Sequence, residues 1–248
     1  MSDYSKEIEL FNTTVEKAGE LSYIVRDNEL QRGALAELSA LAAKVEVWKR
    51  QAISDQNERY ANVFLGGQCV IEALEAELNM WLQLKDGRPD EAWENLVNAQ
   101  RATRNAIRAS RGFSHLEARA TRLLNIERVV FPAQVFLSAG LIVRSQQCSI
   151  CGAEYDDCPH IVGKPYMGEF CRCILKDIEA NHIAIVTEPA NKQCRVVYFN
   201  DEGGKRNRMT WRVEPGSIPD TSGTERKGRV VEGIILSTTD VGAPGSKR

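Results

Sequence analysis

The sequence predicts an α+β protein in which an N-terminal antiparallel helical bundle is followed by a small, zinc-stabilised, β-rich domain. Apolar residues recur at helical spacing up to about residue 128, and after Phe131-Pro132 β-branched residues, Gly and Pro become frequent. A cluster of cysteines and one histidine follows this change. We therefore predict a bundle over 1–129, a zinc-binding α+β domain over 130–213, and a flexible tail over 214–248 that can add one strand.

Composition excludes several classes of protein. The chain has 248 residues, of which 43% are hydrophobic, which is enough for one sizeable core or two modest ones. No apolar run approaches the ~20 residues of a membrane span, and the N-terminus lacks a secretory apolar region, so we expect a cytoplasmic protein without a membrane partner. No phosphate-binding glycine loop occurs, so we expect no nucleotide.

Three amphipathic helices follow from apolar residues three and four positions apart. Their stripes run from Ile8 to Ala18, from Leu35 to Ala52 and from Ile71 to Trp81. Start signals are Asp27 or Asn28 for the second helix, Pro89 for a fourth, and a capping box over residues 114–117 for a fifth. We expect breaks at Gly66-Gly67 and over residues 86–89, with short connections between antiparallel neighbours.

Short strands are predicted in the second half, separated by turns that contain Gly, Pro and Asn. The candidates are Ala139 to Val143, His182 to Val186, Arg195 to Phe199 and Met209 to Val213. A short helix is expected over Leu175 to Glu179, and the apolar run Arg229 to Leu236 can add a strand to the tail.

The most specific motif is a group of metal-ligand residues: Cys148, Cys151, Cys158 and His160. A Cys-x-x-Cys pair followed by Gly152 is typical of a tight turn that directs both thiolates to one point, and Cys158 and His160 can complete a tetrahedron. Thiolate and imidazole ligands favour zinc. Because four protein ligands leave no open coordination position, we expect a structural Zn²⁺ and a non-catalytic protein.

Two further cysteines leave the ligand set open. Cys171 and Cys173 lie close enough in sequence for either to replace Cys158 or His160, although we favour the interpretation that both are small apolar residues of a minor core. Disulfides are not expected in a reducing compartment.

Residues 135 to 200 resemble a stretch of the tailed-phage prohead (head-maturation) proteases and of related uncharacterised bacterial and phage-associated proteins. The motifs that carry the resemblance are Ser138-Ala-Gly140, the cysteine cluster, residues 163–168, and residues 183–191, which end in Pro-Ala-Asn. The resemblance implies a phage or mobile-element context and a serine nucleophile at Ser138, for which His115 is the only upstream histidine. A serine peptidase is therefore one alternative function.

A second alternative is nucleic-acid binding through two basic patches. Arg101, Arg104, Arg108 and Arg111 advance by three, four and three residues and so form one stripe on a helix. A Gly-Gly turn precedes Lys205, Arg206, Arg208 and Trp211, where cations can hold a backbone while the indole stacks on a base. Internal pairing with acidic residues on neighbouring helices is the competing explanation for the stripe.

The function that we expect from the sequence is therefore that of a non-catalytic zinc-binding interaction or assembly protein. The long amphipathic helices favour a protein partner or self-association, and a nucleic-acid partner remains open. The net charge of −2 means that any attraction to nucleic acid has to be local.

Overall fold

The computed structural model describes residues 4–201, 204–214 and 231–233, and these confirm the α+β class. Its α-helices are α1 (Ser5–Glu20), α2 (Asn28–Ser54), α3 (Glu58–Lys85), α4 (Pro89–Ala109) and α5 (Glu117–Val130). Its strands are β1 (Phe136–Cys148), β2 (Pro165–Tyr166), β3 (Glu169–Phe170), β4 (Cys173–Val186), β5 (Val196–Asp201), β6 (Gly204–Asn207), β7 (Val213–Glu214) and β8 (Val231–Gly233). Two 3₁₀ helices span Arg111–Leu116 and Tyr155–Asp157.

The chain forms two compact units. The first comprises residues 1–131 and 142–179, and the second comprises 132–141 and 180–248. The segment with the metal-ligand residues therefore groups with the helices, whereas the sequence placed it in a domain beginning at residue 130.

Local capping explains where two of the helices begin. The side chain of Asp27 accepts hydrogen bonds from the backbone N–H groups of Glu29 and Leu30 at 2.9 and 3.1 Å, so Asp27 is the N-cap of α2. Pro89 occupies the start of α4, where its missing N–H costs no hydrogen bond. Both start signals are confirmed.

Helix α3 forms the centre of the helical core. It is buried along most of its length and packs against α1, α2 and α4. Leu74 and Leu78 are almost completely inaccessible, as are Val45 of α2 and Ala106 of α4. A helix that is apolar around most of its circumference has to be enclosed by other helices, so its burial determines how they pack.

The predicted break at Gly66-Gly67 is wrong, because α3 continues through both residues. An added Cβ at Gly66 would lie 2.3 Å from the Phe113 ring, and one at Gly67 would lie 3.2 Å from the Phe11 ring. The glycines therefore make room for two aromatic rings instead of ending the helix.

The capping box predicted over residues 114–117 does not form either. Residues Arg111–Leu116 are a 3₁₀ helix, and the hydroxyl of Ser110 accepts the N–H of Gly112 at 3.3 Å. No side-chain cap precedes Glu117, where α5 begins.

Strands β1 and β4 form a long two-stranded ribbon. They run antiparallel, because Gly140 lies against His182 and Arg144 pairs with Glu179 at 3.1 Å. The predicted strands Ala139 to Val143 and His182 to Val186 are confirmed as parts of this ribbon. The helix predicted over Leu175 to Glu179 is wrong, since these residues belong to β4 and pairing with β1 overrides their local preference.

The second unit contains an antiparallel sheet in the order β7-β6-β5-β8. The strand predicted over Arg195 to Phe199 corresponds to β5. The strand predicted over Met209 to Val213 is wrong except at its last residue. The buried Asn207 side chain accepts the N–H groups of Met209 and Thr210 at 2.7 and 2.9 Å and so forms a turn. The predicted strand Arg229 to Leu236 is described only at Val231–Gly233, which is β8, and otherwise lies outside the described residues.

A buried carboxylate joins α3 to α5. Glu77 is fully inaccessible, and its two oxygens accept hydrogen bonds from Arg119 and from Arg122, the latter at 2.5 Å. The Arg122 guanidinium also lies over the Tyr23 ring at 5.1 Å. Because an unpaired buried charge is costly, these contacts fix the position of α5 on the bundle.

We predict that Gly66→Ala destabilises the helical unit. The new methyl group would overlap the Phe113 ring, and overpacking costs ~1–3 kcal/mol, more than the helix propensity gained from alanine. Urea unfolding followed by far-UV circular dichroism measures the change.

Gly33→Ala is the matched control, because Gly33 lies in α2 with nothing within 4 Å of an added Cβ. It should be stabilising by up to ~1 kcal/mol. Equal stability changes in the two variants would contradict the packing role of Gly66.

Candidate metal centre

The candidate metal centre begins at the end of β1, where the chain makes a tight turn. The N–H of Gly152 donates to the carbonyl of Cys148 at 2.9 Å, and the N–H of Cys148 donates to the carbonyl of Ala153 at 2.9 Å. Gly152 has φ +73°, a conformation that favours glycine. This turn places Cys148 and Cys151 on the same side of the loop, as their spacing predicted.

Four donor atoms converge at this turn. The sulfurs of Cys148, Cys151 and Cys158 and a ring nitrogen of His160 all lie within 4.8 Å of one another. The Sγ atoms of Cys151 and Cys158 are 3.5 Å apart, and Nδ1 of His160 is 3.2 Å from Sγ of Cys158. Sulfurs that share a tetrahedral zinc at ~2.3 Å are ~3.8 Å apart, so this group has the dimensions of a metal site.

Cys171 lies beside this group, whereas Cys173 does not. The buried Sγ of Cys171 is 3.7 Å from the Sγ of Cys148, although Cys171 is not among the four mutually close donors. The thiol of Cys173 instead donates to the side chain of Gln146 at 3.1 Å. Of the two alternative ligands considered from the sequence, Cys171 is therefore the one whose sulfur contacts a sulfur of the donor group.

The surroundings shift the thiol pKa values in opposite directions. Burial raises the pKa of Cys148, but the backbone N–H groups of Cys151 and Ile150 stabilise its thiolate and lower the pKa to about 6. Burial raises the pKa of Cys158 to about 11, assisted by the neighbouring sulfurs and opposed by the N–H of His160. A bound cation would favour the thiolate at every one of these sulfurs.

A short hairpin, β2 with β3, connects the donor cluster to the helices. The N–H of Gly168 donates to the side-chain oxygen of Asn62 at 2.8 Å, and the N–H of Met167 donates to that of Glu58 at 3.3 Å. Met167 and Phe170 pack against the helical core. The hairpin is therefore attached to the first turns of α3.

The loop between His160 and the hairpin is held by two tyrosine hydroxyls. The hydroxyl of Tyr166 accepts the N–H of Ile161 at 2.9 Å, and that of Tyr155 accepts the N–H of Val162 at 3.1 Å. The imidazole of His160 packs edge-on against the Tyr166 ring at 4.7 Å between centroids. These contacts orient the histidine, and the tyrosines were not singled out from the sequence because no spacing rule marks such a role.

The two residues of the alternative serine-peptidase function, Ser138 and His115, lie in different elements of the fold. Ser138 lies in β1, and its hydroxyl has no hydrogen-bond partner among the described residues. His115 is exposed in the 3₁₀ helix before α5, where its Nδ1 lies 3.0 Å from the carbonyl oxygen of Gly112. Ser138 and His115 also belong to different compact units.

The two predicted basic patches differ in how their charges are used. Arg101 pairs with Glu72 at 2.5 Å, but Arg104, Arg108 and Arg111 are exposed and form no ion pair within the described part of the chain. Internal pairing therefore accounts for one arginine of the stripe.

The second patch is largely occupied by contacts within its own unit. Arg206 pairs with Asp201, donates to the carbonyl of Trp211 at 2.8 Å and lies over the indole ring at 5.6 Å. Arg208 donates to the carbonyl of Ala133 at 3.4 Å. Lys205 lies beside them in β6 and also has a partner. Arg206 therefore lies over one face of the Trp211 indole, although that side chain remains 60% exposed.

Comparison with known proteins finds no match to this chain. No family model matches it, and neither the curated proteins nor the solved structures include one that is significantly similar. Within the described residues, no helix is both long and apolar enough to cross a bilayer.

We predict that binding of a divalent metal at this centre releases protons at neutral pH. Ligand thiols must lose their protons, and the raised pKa of Cys158 keeps that thiol protonated at pH 7. Affinity should therefore fall as the pH falls. A weakly buffered titration with a pH indicator measures the release, and binding without proton release at pH 7 would exclude Cys158 as a ligand.

Proposed function

We propose that this chain is a non-catalytic zinc protein in which a structural Zn²⁺ holds the loop after β1 in place for interaction with a partner. The observation that supports this proposal is the convergence of Cys148, Cys151, Cys158 and His160 within 4.8 Å. Three sulfurs and one imidazole nitrogen favour Zn²⁺, since softer thiolate ligands disfavour Mg²⁺ and Ca²⁺.

A structural role is favoured by the number of donors. Four protein ligands fill a tetrahedron, and Cys171 adds a fifth donor, the fourth sulfur, beside Cys148, so water or substrate has no reserved position. The ion would connect the turn at Cys148 to the loop at His160, a segment that contains only short strands and little core of its own. Metal binding supplies folding free energy to such segments.

An interaction role is supported by what the loop presents. Ile161 and Val162 directly follow His160 and are each about half exposed, so an ion bound there would display two apolar side chains. A protein partner or a second copy of the chain is therefore part of this proposal. The proposal also includes a cytoplasmic location. It further includes a phage or mobile-element context, because residues 135 to 200 resemble the prohead-protease stretch.

Metal analysis tests the proposal directly. Protein purified without added metal should contain about one equivalent of zinc, and the double variant Cys148→Ser/Cys151→Ser should lose it. Cys173→Ser is the matched control, because a serine hydroxyl can also donate to Gln146 and the residue lies outside the donor group. Full zinc content in the double variant, or a folded wild-type protein without zinc, would contradict the proposal.

Hydrogen exchange tests whether the ion holds the segment together. Chelation should increase exchange over residues 163–172, where the N–H of Cys171 donates to the carbonyl of Lys164 at 2.9 Å, while α4 remains protected. The metal would connect His160, which lies just before this segment, to Cys148 at the end of β1, so its removal should loosen the hydrogen bonds between the segment and the donor loop first. Unchanged protection of this segment in the metal-free protein would show that the ion has no structural role there.

A further inference from the structure

The stripe arginines without acidic partners form one side of a basic surface. Arg104 and Arg108 lie on the exposed face of α4, one helical turn and about 6 Å apart, and Arg111 follows directly after the helix. None of the three forms an ion pair, hydrogen bond or ring contact within the described residues. Three adjacent guanidinium groups are therefore left to repel one another in the absence of an external anion.

The loop that follows the candidate metal ligand His160 contributes to the same surface. Gly163 has φ +83°, and a Cβ at this position would lie 3.4 Å from Nη1 of Arg108. The next residue, Lys164, is exposed and its ammonium group has no acidic partner in the described part of the chain. The surface thus continues from α4 onto the loop after His160 and carries four positive charges.

Hydrogen bonds couple this loop to the metal centre. The N–H of Gly163 donates to the carbonyl of Cys171 at 2.9 Å, and the N–H of Cys171 donates to the carbonyl of Lys164 at 2.9 Å. Cys171 in turn lies 3.7 Å from Cys148 between their sulfurs. The position of Gly163 beside Arg108, and with it the position of the backbone at Lys164, is therefore set by the segment that the ion would hold.

We propose that this basic surface, defined by Arg104, Arg108, Arg111 and Lys164, binds the phosphodiester backbone of a nucleic acid. Arginine predominates in it, and the planar guanidinium group forms paired hydrogen bonds with phosphate oxygens. Regularly spaced cations without internal partners suit a polyanion that can engage several of them at once. The second basic patch does not enter this proposal, because Arg206 is already paired with Asp201.

This inference rests on the proposed function, since the metal-held loop supplies Lys164, and it adds a nucleic acid as a second partner beside the protein partner proposed there. Contacts to the backbone alone carry no base-edge specificity, so we expect binding that depends little on sequence. The slope of log affinity against log salt should be about −3 to −4 for a duplex if all four cations are engaged, and shallower for a single strand.

Fluorescence anisotropy of the full chain with labelled duplex and single-stranded DNA tests the proposal. The variant Arg104→Gln/Arg108→Gln/Arg111→Gln should bind at least about tenfold more weakly than wild type, and its salt slope for duplex should be smaller by roughly 2.7. The matched control is Arg32→Gln/Lys44→Gln/Arg128→Gln, which removes the same charge from exposed positions of α2 and α5 that form no ion pair among the described residues, and it should bind like wild type. The stripe variant should keep one equivalent of zinc.

The outcomes separate this inference from the proposed function. A zinc-containing protein that binds neither probe at low salt, or equal weakening by the two triple variants, would overturn the nucleic-acid inference and leave the zinc proposal intact. Binding to vesicles of anionic phospholipid, with no binding to either DNA, would overturn it as well. Loss of zinc in Cys148→Ser/Cys151→Ser should reduce the salt slope by about 1, because the loop that carries Lys164 would no longer be held against α4 at Gly163.

Discussion

Burial of α3 is the constraint on which the rest of the helical unit depends. A helix that is apolar around most of its circumference is stable in water only when other elements enclose it, and α1, α2 and α4 pack against it. The β2–β3 hairpin is attached to the first turns of α3 through Asn62 and Glu58. Helix α5 is attached to the second half of α3 through Glu77. The candidate centre is therefore built on the same helix that organises the core.

The arginines of α4 and α5 are used in two different ways. Two arginines of α5, Arg119 and Arg122, turn inward and neutralise the buried Glu77, and removing that carboxylate would leave two partly buried cations without their partner. Those of α4 face outward, and only Arg101 has an acidic partner among the described residues. The difference arises because Leu96 and Ala106 of α4 fill its buried side, which leaves the arginines on the exposed one.

The candidate centre illustrates how much a short motif can specify. Cys148, Cys151 and Gly152 form a local turn whose geometry follows from their spacing and from the positive φ of glycine, so the motif was sufficient to predict convergence. The approach of Cys171 depends on the β2–β3 hairpin, which folds residue 171 back beside β1. Spacing along the chain could not distinguish Cys171 from Cys173, although the structure separates them clearly.

The sequence by itself determined the α+β class, the starts of α2 and α4 and the four converging ligands, because caps and close spacings act over a few residues. Tertiary structure decided the features that depend on distant neighbours. Gly66 continues a helix because Phe113 needs the space, and residues 175–179 are a strand because β1 pairs with them. Which arginines are neutralised was likewise decided by packing, since the partners of Arg101 and Arg122 lie on α3, between 29 and 45 residues away.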